Sequence, residues 1–237
     1  MILNDLLSLL IWVPILGGFF VLATGNDQHA QANRWVALVF ALITLALCIP
    51  LYLNFDTTSW QLQFVENKDW IPALNVRYAL GVDGISILFI LLTSFTNIII
   101  ILAAWHTIRV KVGQYMAVFL ISTGIMNGAF AATDSILFYF FWEASLIPMF
   151  LGIGIWGGRL RGYAALKFFV YTFLGSVFLL LGFLYLGHKA DNFSFFVLPT
   201  INADLARRKF TLPDLSSRLC GQGSHVAGSH LAARCPY

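Results

Sequence analysis

The sequence predicts an all-α fold, a polytopic bundle of about six membrane-spanning helices. The 237 residues are 59% hydrophobic and only 11% charged, whereas about a quarter of the residues of a soluble domain are charged. The mean hydropathy is +0.81, and the apolar runs lack the alternation of a membrane β-barrel. These observations exclude a soluble globular domain. The many aromatic and aliphatic residues also exclude intrinsic disorder.

Six stretches are long and apolar enough to span a bilayer, which requires about 20 residues. They are 3–24, 35–53, 85–105, 115–133, 135–156 and 163–187. The first lacks a basic region and a cleavage site of small residues, so we expect a retained helix and not a signal peptide. The long connection 54–82 carries Trp60, Trp70 and Tyr78, which suit the membrane–water interface.

Basic residues predict the orientation of the bundle. The connections after the first, third and fifth spans contain five basic residues, and the connections after the second and fourth spans contain two, Lys68 and Arg77. Cytoplasmic loops carry the excess of Lys and Arg, so we expect a multi-pass membrane protein with its N-terminus outside. The residues that decide this are Arg34, Arg109, Lys111, Arg159 and Arg161.

Several function classes lack support in the sequence. The net charge of +3 is too small and dispersed for a nucleic-acid interface. The cysteines Cys48, Cys220 and Cys235 do not have the spacing of metal ligands. No glycine-rich phosphate loop and no arrangement of nucleophile and base is evident. We therefore expect no metal and no cofactor-binding residue on this chain.

Glu143 is the candidate for chemistry, because it is an ionisable residue well inside a predicted span. It follows Ser135 by eight residues, which is roughly 12 Å along a helix. A carboxylate at this depth costs on the order of 3 kcal/mol and faces the bundle interior or a wet cavity. We interpret Glu143 as a proton relay, and the alternative is a structural glutamate that is hydrogen-bonded to a neighbouring helix.

Two further residues are possible supporting groups. Pro148 has no backbone N–H, so the carbonyl of Ala144 loses its helical partner. That carbonyl can hold a water beside Glu143, or the proline is only a tolerated kink. Lys167 lies near the inner end of the sixth span, where it can extend to the interface or serve as a cationic partner on a proton path.

Four other residues predict structure and not chemistry. Asp83 and Asp134 precede the third and fifth spans, where a carboxylate caps a helix. Gly124 and Gly128 are spaced as in close pairs of membrane helices. We therefore expect these four residues to position the bundle.

Two segments make the sequence recognisable. GVDGIS at 81–86 and FYFFWEASLIPMFLGIGIWGG at 138–158, followed by the R-x-R-x-YAALKFFVYTFLGS run at 159–176, resemble subunit M of bacterial NADH:quinone oxidoreductase, respiratory complex I. This family is the counterpart of mitochondrial subunit 4 and is similar to the large subunits of multisubunit sodium/proton antiporters. The resemblance covers roughly residues 1–200, so 1–201 is predicted to be the antiporter-like transmembrane region.

The resemblance implies a role for the chain in proton pumping. Glu143 matches the family's essential glutamate, which works with a lysine in a broken seventh helix. The family couples NADH oxidation and quinone reduction to proton translocation. NADH, FMN, the iron–sulfur clusters and quinone belong to other subunits. The implied partners are other membrane-arm subunits, the lipid bilayer and protons. The enzyme class is then oxidoreductase and translocase, without a redox-active site on this chain.

The segment 202–237 is predicted to be a non-homologous tail, because it has no apolar run and its basic residues break the charge bias. Residues 221–236 can be encoded so that a shift of one nucleotide gives VKVPMWPVHTWLPDA, the family's lysine-bearing stretch. We therefore expect a frameshift near residues 209–212 and a truncated subunit that does not pump. The alternative to a frameshift is a naturally different C-terminus. The alternative functions are a subunit of a sodium/proton antiporter and an inert membrane fragment.

Overall fold

Six long helices and one β-hairpin make up the described part of the chain. The structure, a computed structural model, describes residues 5–24, 30–57, 59, 61–71 and 76–190, the last three by backbone only. In chain order the elements are α1 (Leu6–Ala23), α2 (Ala30–Leu53), β1 (Gln63–Ile71), β2 (Val76–Val82), α3 (Ser86–Thr107), α4 (Val112–Ala131), α5 (Ser135–Trp156) and α6 (Arg161–Ala190). Each predicted span corresponds to one helix, so the helical membrane fold is confirmed.

The central helix α4 differs from the other five. By length and hydropathy, α1, α2, α3, α5 and α6 can cross a membrane. Helix α4 has 20 residues but carries polar ones, among them Gln114, Thr123 and Asn127. It contacts α1, α2, α3 and α5, and most of its residues are buried. Because other helices and not lipid surround α4, this helix tolerates polar residues at some positions.

Two glycines of α4 bring neighbouring helices close, as their spacing predicts. A Cβ atom added to Gly124 would lie 2.5 Å from the backbone oxygen of Ile11 in α1. A Cβ atom on Gly128 would lie 2.6 Å from the ring of Phe141 in α5. The prediction that these glycines serve helix contact is therefore confirmed.

A β-hairpin, which the sequence does not predict, occupies most of the connection between α2 and α3. Strand β1 pairs with β2 in antiparallel fashion, and Lys68 is opposite Tyr78. In the part of the chain that the structure describes, the sheet has two strands, so the hairpin depends on its packing against the helices. The indole of Trp70 packs edge-on against Phe140 of α5, with ring centroids 5.4 Å apart. Trp60, which the sequence also predicts for the membrane–water interface, lies outside the described residues.

The hairpin caps the first helix through Glu66. One carboxylate oxygen accepts hydrogen bonds from the backbone N–H groups of Leu7, at 2.9 Å, and Ser8, at 3.2 Å. The other oxygen accepts from the hydroxyl of Ser8, which also contacts the hydroxyl of Tyr78 at 3.2 Å. The first N–H groups of a helix have no partner within it and favour a negative charge. Glu66 therefore ties the start of α1 to the hairpin.

Replacing Glu66 with alanine should destabilise the fold, because it removes the acceptor of three hydrogen bonds at a buried position. Leaving such donors unsatisfied costs about 1–3 kcal/mol each. We expect a lower melting temperature in detergent, measured by circular dichroism. Asp69→Ala is the matched control. Asp69 lies on the same strand, but its side chain is exposed and its ion pair with Arg77 is long, at 3.8 Å. Equal melting of the two variants would contradict the capping role.

Candidate intramembrane proton site

The side chain of Glu143 is half-buried on the side of α5 that meets α6. It is eight residues from the start of α5, so it lies roughly 12 Å along the helix. Its Oε1 atom is buried and, within the described part of the chain, has no hydrogen-bond partner. An unpaired buried carboxylate oxygen is costly. Such an atom can accept a proton or a water, which is the property that a relay requires.

Tyr139 and Ser176 are the neighbours of Glu143 that sequence analysis missed. Tyr139 precedes Glu143 by four residues, so both side chains are on the same face of α5. The hydroxyl of Tyr139 interacts with the carboxylate of Glu143 and with the hydroxyl of Ser176 in α6. Ser176 is buried and donates a hydrogen bond of 2.8 Å to the backbone oxygen of Phe173. The spacing of Tyr139 could have revealed it, but the contact with α6 could not.

Aromatic contacts hold the two helices of the site together. Phe138 of α5 meets Phe183 of α6 with ring centroids 6.3 Å apart. Nearer the other end, Phe150 of α5 meets Phe169 of α6 at 5.5 Å. Edge-to-face contacts of this kind are favourable at such distances. Glu143 and Ser176 lie between these two contacts along their helices, so the polar groups are enclosed above and below by aromatic rings.

Lys167 lies on α6 but away from Tyr139 and Glu143. It precedes Ser176 by nine residues, which is roughly 13 Å along a helix. Its side chain is exposed, and its Nζ atom is 5.9 Å from the ring centroid of Tyr171. Among the described residues no ion pair joins Lys167 to Glu143. A supporting role for Lys167 stays a prediction.

Pro148 is buried and lies on a different side of α5 from Glu143. Together with Ala144 it lines a groove between α1, α4 and α5, whereas Tyr139 and Glu143 are on the side that meets α6. Residues 135–156 nevertheless form one continuous helix. Whether the free carbonyl of Ala144 holds a water beside Glu143 stays a prediction.

The start of α5 is fixed by Asp134, as the sequence predicts. Its carboxylate accepts hydrogen bonds from the backbone N–H groups of Ile136, at 2.9 Å, and Leu137, at 3.1 Å. Burial raises the pKa of Asp134, although these hydrogen bonds favour the charged form. Asp83 accepts from Ser86 at 2.7 Å at the start of α3. Burial pushes the pKa of Asp83 upward, but its hydrogen bonds outweigh burial and lower it.

At the opposite end, basic and aromatic side chains join the connections between helices. Arg34 donates to the backbone oxygen of Ile108 at 3.0 Å. The indole N–H of Trp156 donates to the backbone oxygen of Val110 at 3.1 Å. Arg161 donates to the backbone oxygen of Ile155 at 2.8 Å. The connections after α1, α3 and α5 therefore share one end of the bundle, and the basic residues are on it.

A second group of buried polar residues lies in α2, α3 and α4, away from Glu143. Along α3, Ser94 and Asn97 separate the apolar residues of one core cluster from those of the other. Neither amide atom of Asn97 has a hydrogen-bond partner in the part of the chain that the structure describes. The same part contains no group of three His, Cys, Asp or Glu that could hold a metal. The polar residues of this group are Thr44, Ser94, Asn97, Thr123 and Asn127.

Comparison with known proteins identifies relatives of the chain. The family model for NADH:quinone oxidoreductase/Mrp antiporter, TM, matches residues 132–214, which include α5 with Glu143 and α6. NADH-quinone oxidoreductase subunit M of Rhodobacter capsulatus is 46% identical over 181 residues, 75% of this chain and 35% of the relative. NADH-ubiquinone oxidoreductase chain 4 of Arabidopsis thaliana is 42% identical over 179 residues, 75% of this chain and 36% of the relative. The resemblance to the subunit M family is confirmed.

The fold agrees with that of a chain in a solved structure. A chain of respiratory complex I from Thermus thermophilus with bound NADH superimposes with a TM-score of 0.70 and 28% identity. The match covers 81% of this chain and 38% of that chain. The chain thus spans little more than a third of the length of its relatives. It is a membrane protein with several apolar helices. The predicted tail, 202–237, lies outside the described residues, and its boundary stays a prediction.

Proposed function

We propose that the chain is part of a proton-translocating membrane-arm subunit of NADH:quinone oxidoreductase and that the truncated chain does not pump protons by itself. The observation that carries this proposal is Glu143, whose Oε1 atom is buried and unpaired in mid-membrane among the described residues. The Tyr139 hydroxyl beside it supplies a second group that can donate and accept a proton. The relatives of the chain are named as subunits of that oxidoreductase, which supports the same assignment.

In this proposal, Glu143 alternately binds and releases a proton as its electrostatic surroundings change. A nearby cation favours the charged carboxylate, and removal of that cation favours the protonated one. The chain itself supplies Lys167, and the family resemblance implies a further lysine. Tyr139 and Ser176 position the carboxylate and provide a short hydroxyl path towards α6.

Electron transfer takes place elsewhere in the proposed complex. We propose that NADH, FMN, the iron–sulfur clusters and quinone are held by other subunits, which are the partners of this chain together with the lipid bilayer. The proposed location is the bacterial inner membrane. The N-terminus is then outside, and the end that carries Arg109, Lys111 and Arg161 faces the cytoplasm.

A subunit of a sodium/proton antiporter is the second candidate function. The family model that matches 132–214 is described for both NADH:quinone oxidoreductase and Mrp antiporters, and this observation favours it. The two relatives described above are both named for the oxidoreductase, which leaves the antiporter less supported. Both functions assign the same proton chemistry to Glu143 and differ in the partner complex.

A chimera tests the proposed function. Residues 6–190 of this chain replace the corresponding part of subunit M in Rhodobacter capsulatus, the 46% identical relative. Proton uptake by membrane vesicles is then measured with NADH as the only energy source. We expect NADH-driven uptake that depends on the chimera. An assembled complex that oxidises NADH at the normal rate without this uptake would contradict the proposal.

Tyr139→Phe should slow proton translocation in this chimera without affecting assembly. The variant removes only the hydroxyl that interacts with Glu143 and Ser176. A hydrogen bond to a charged group is worth about 1.5–3 kcal/mol, so we expect about a tenfold lower rate and a shifted pH dependence. Tyr163→Phe, on the exposed surface of α6, is the control. An unchanged rate and pH profile would remove Tyr139 from the site.

A further inference from the structure

A long apolar groove crosses the bundle on the side of α5 that faces away from α6. It lies between α1, α4 and α5, and its volume is about 780 Å³. Along α5 its lining extends from Leu137 to Ile155, which is roughly 27 Å. The hydrocarbon core of a bilayer is ~30 Å thick. The groove therefore runs through most of the membrane, with a shape suited to a flexible apolar chain.

One end of the groove is bordered by positive charge. Gln114 and Ile155 line this end. Arg161 donates a 2.8 Å hydrogen bond to the backbone oxygen of Ile155, and Lys111 immediately precedes α4, three residues before Gln114. Both basic side chains are exposed. The connections at 108–111 and 157–160 contain further basic residues and no acidic one.

We propose that this groove binds an anionic phospholipid, with an acyl chain along α5 and the phosphate between Lys111 and Arg161. Basic pockets between membrane helices at one leaflet are suited to anionic headgroups. The half of the groove nearest this end includes Val118, Pro148 and Leu151, which provide an apolar surface for the chain. The first turn of α4 has no side-chain cap, so its N–H groups can add to the binding of an anion at this end.

The opposite end of the groove shows why the headgroup lies at the basic end. There the lining is aromatic and includes Trp12, Trp70 and Tyr78. Aromatic rings suit the interface but do not select an anion. The nearest ion pair of the hairpin, between Lys68 and Asp5 at 2.8 Å, is already neutral overall. Charge complementarity therefore favours an anionic lipid that enters from the end at Lys111 and Arg161.

Native mass spectrometry of the full 237-residue chain in detergent tests the proposal. The delipidated protein is titrated with phosphatidylglycerol or with phosphatidylcholine of identical acyl chains, and glycerol phosphate is added as a headgroup without chains. We expect phosphatidylglycerol to bind at least about fivefold more tightly than phosphatidylcholine and glycerol phosphate not to bind. Equal affinities for the two lipids, or no retained lipid, would overturn the proposal.

Two pairs of variants locate the lipid. Lys111→Gln combined with Arg161→Gln should abolish the preference for phosphatidylglycerol, while Lys68→Gln combined with Arg77→Gln removes equal charge at the other end and should not. Leu151→Trp, which fills the groove, should weaken binding of both lipids, and Leu181→Trp on exposed α6 should not. These positions are exposed, and melting by circular dichroism checks each fold. If a variant and its control changed lipid binding equally in either pair, the lipid would bind elsewhere.

Discussion

Glu143→Gln is expected to remove most proton translocation from the Rhodobacter capsulatus chimera and to leave the complex assembled. Glutamine has nearly the same shape as glutamate but does not bind and release a proton near neutral pH. Loss of a positioned proton-transferring group lowers a rate by about 10²–10⁴-fold. We therefore expect the proton uptake that this subunit contributes in NADH-energised vesicles to fall at least tenfold. The amount of assembled complex should stay the same.

The matched variant Glu143→Asp separates proton transfer from structure. It keeps the carboxyl group but moves it away from the Tyr139 hydroxyl, so we expect partial activity. If Glu143→Gln pumps normally, Glu143 is not the relay. If both variants lose the assembled complex, the glutamate is structural, which is the alternative that the sequence left open.

Gly124→Ala is expected to destabilise the bundle markedly. The new Cβ atom would lie 2.5 Å from the backbone oxygen of Ile11. Because that oxygen belongs to the backbone of α1, it cannot move without displacing the helix. Overpacking of a filled core costs typically 1–3 kcal/mol, so we expect a clearly lower melting temperature in detergent and a lower yield of folded protein.

Two other glycines provide graded controls for this substitution. At Gly128 the added atom meets the ring of Phe141, a side chain that can shift, so Gly128→Ala should cost less. At Gly182 in α6 no atom lies within 4 Å, and alanine is favoured over glycine in a helix by about 1 kcal/mol. Gly182→Ala should therefore melt at or above the parent temperature. Three equal melting temperatures would contradict the close packing of α1 and α4.

The helices were predictable because one physical requirement, the apolar length needed to cross a bilayer, fixes them. The predicted span 135–156 has the same bounds as α5. The start of α2 at Ala30 instead of residue 35 was not predictable from hydropathy. Its first turns contain Gln31, Asn33 and Arg34, which are not apolar.

The hairpin and the Glu66 cap were not predictable, for two physical reasons. Strands β1 and β2 are short and lie outside the spans, so the apolar-length criterion does not register them. The cap joins Glu66 to Leu7, and contacts between residues so distant in the chain leave no local pattern. In the candidate site, depth in the span was enough to find Glu143. Ser176 became visible only when the structure placed α6 beside α5.

Difference infrared spectroscopy of the chimeric complex tests the central claim most directly. Spectra are recorded before and during NADH turnover for the parent and for Glu143→Gln. We predict a carboxyl band that changes with turnover in the parent and is missing in the variant, because Glu143 gains and loses a proton. Identical difference spectra for the two proteins would show that Glu143 keeps one protonation state throughout and would contradict its role as a proton relay.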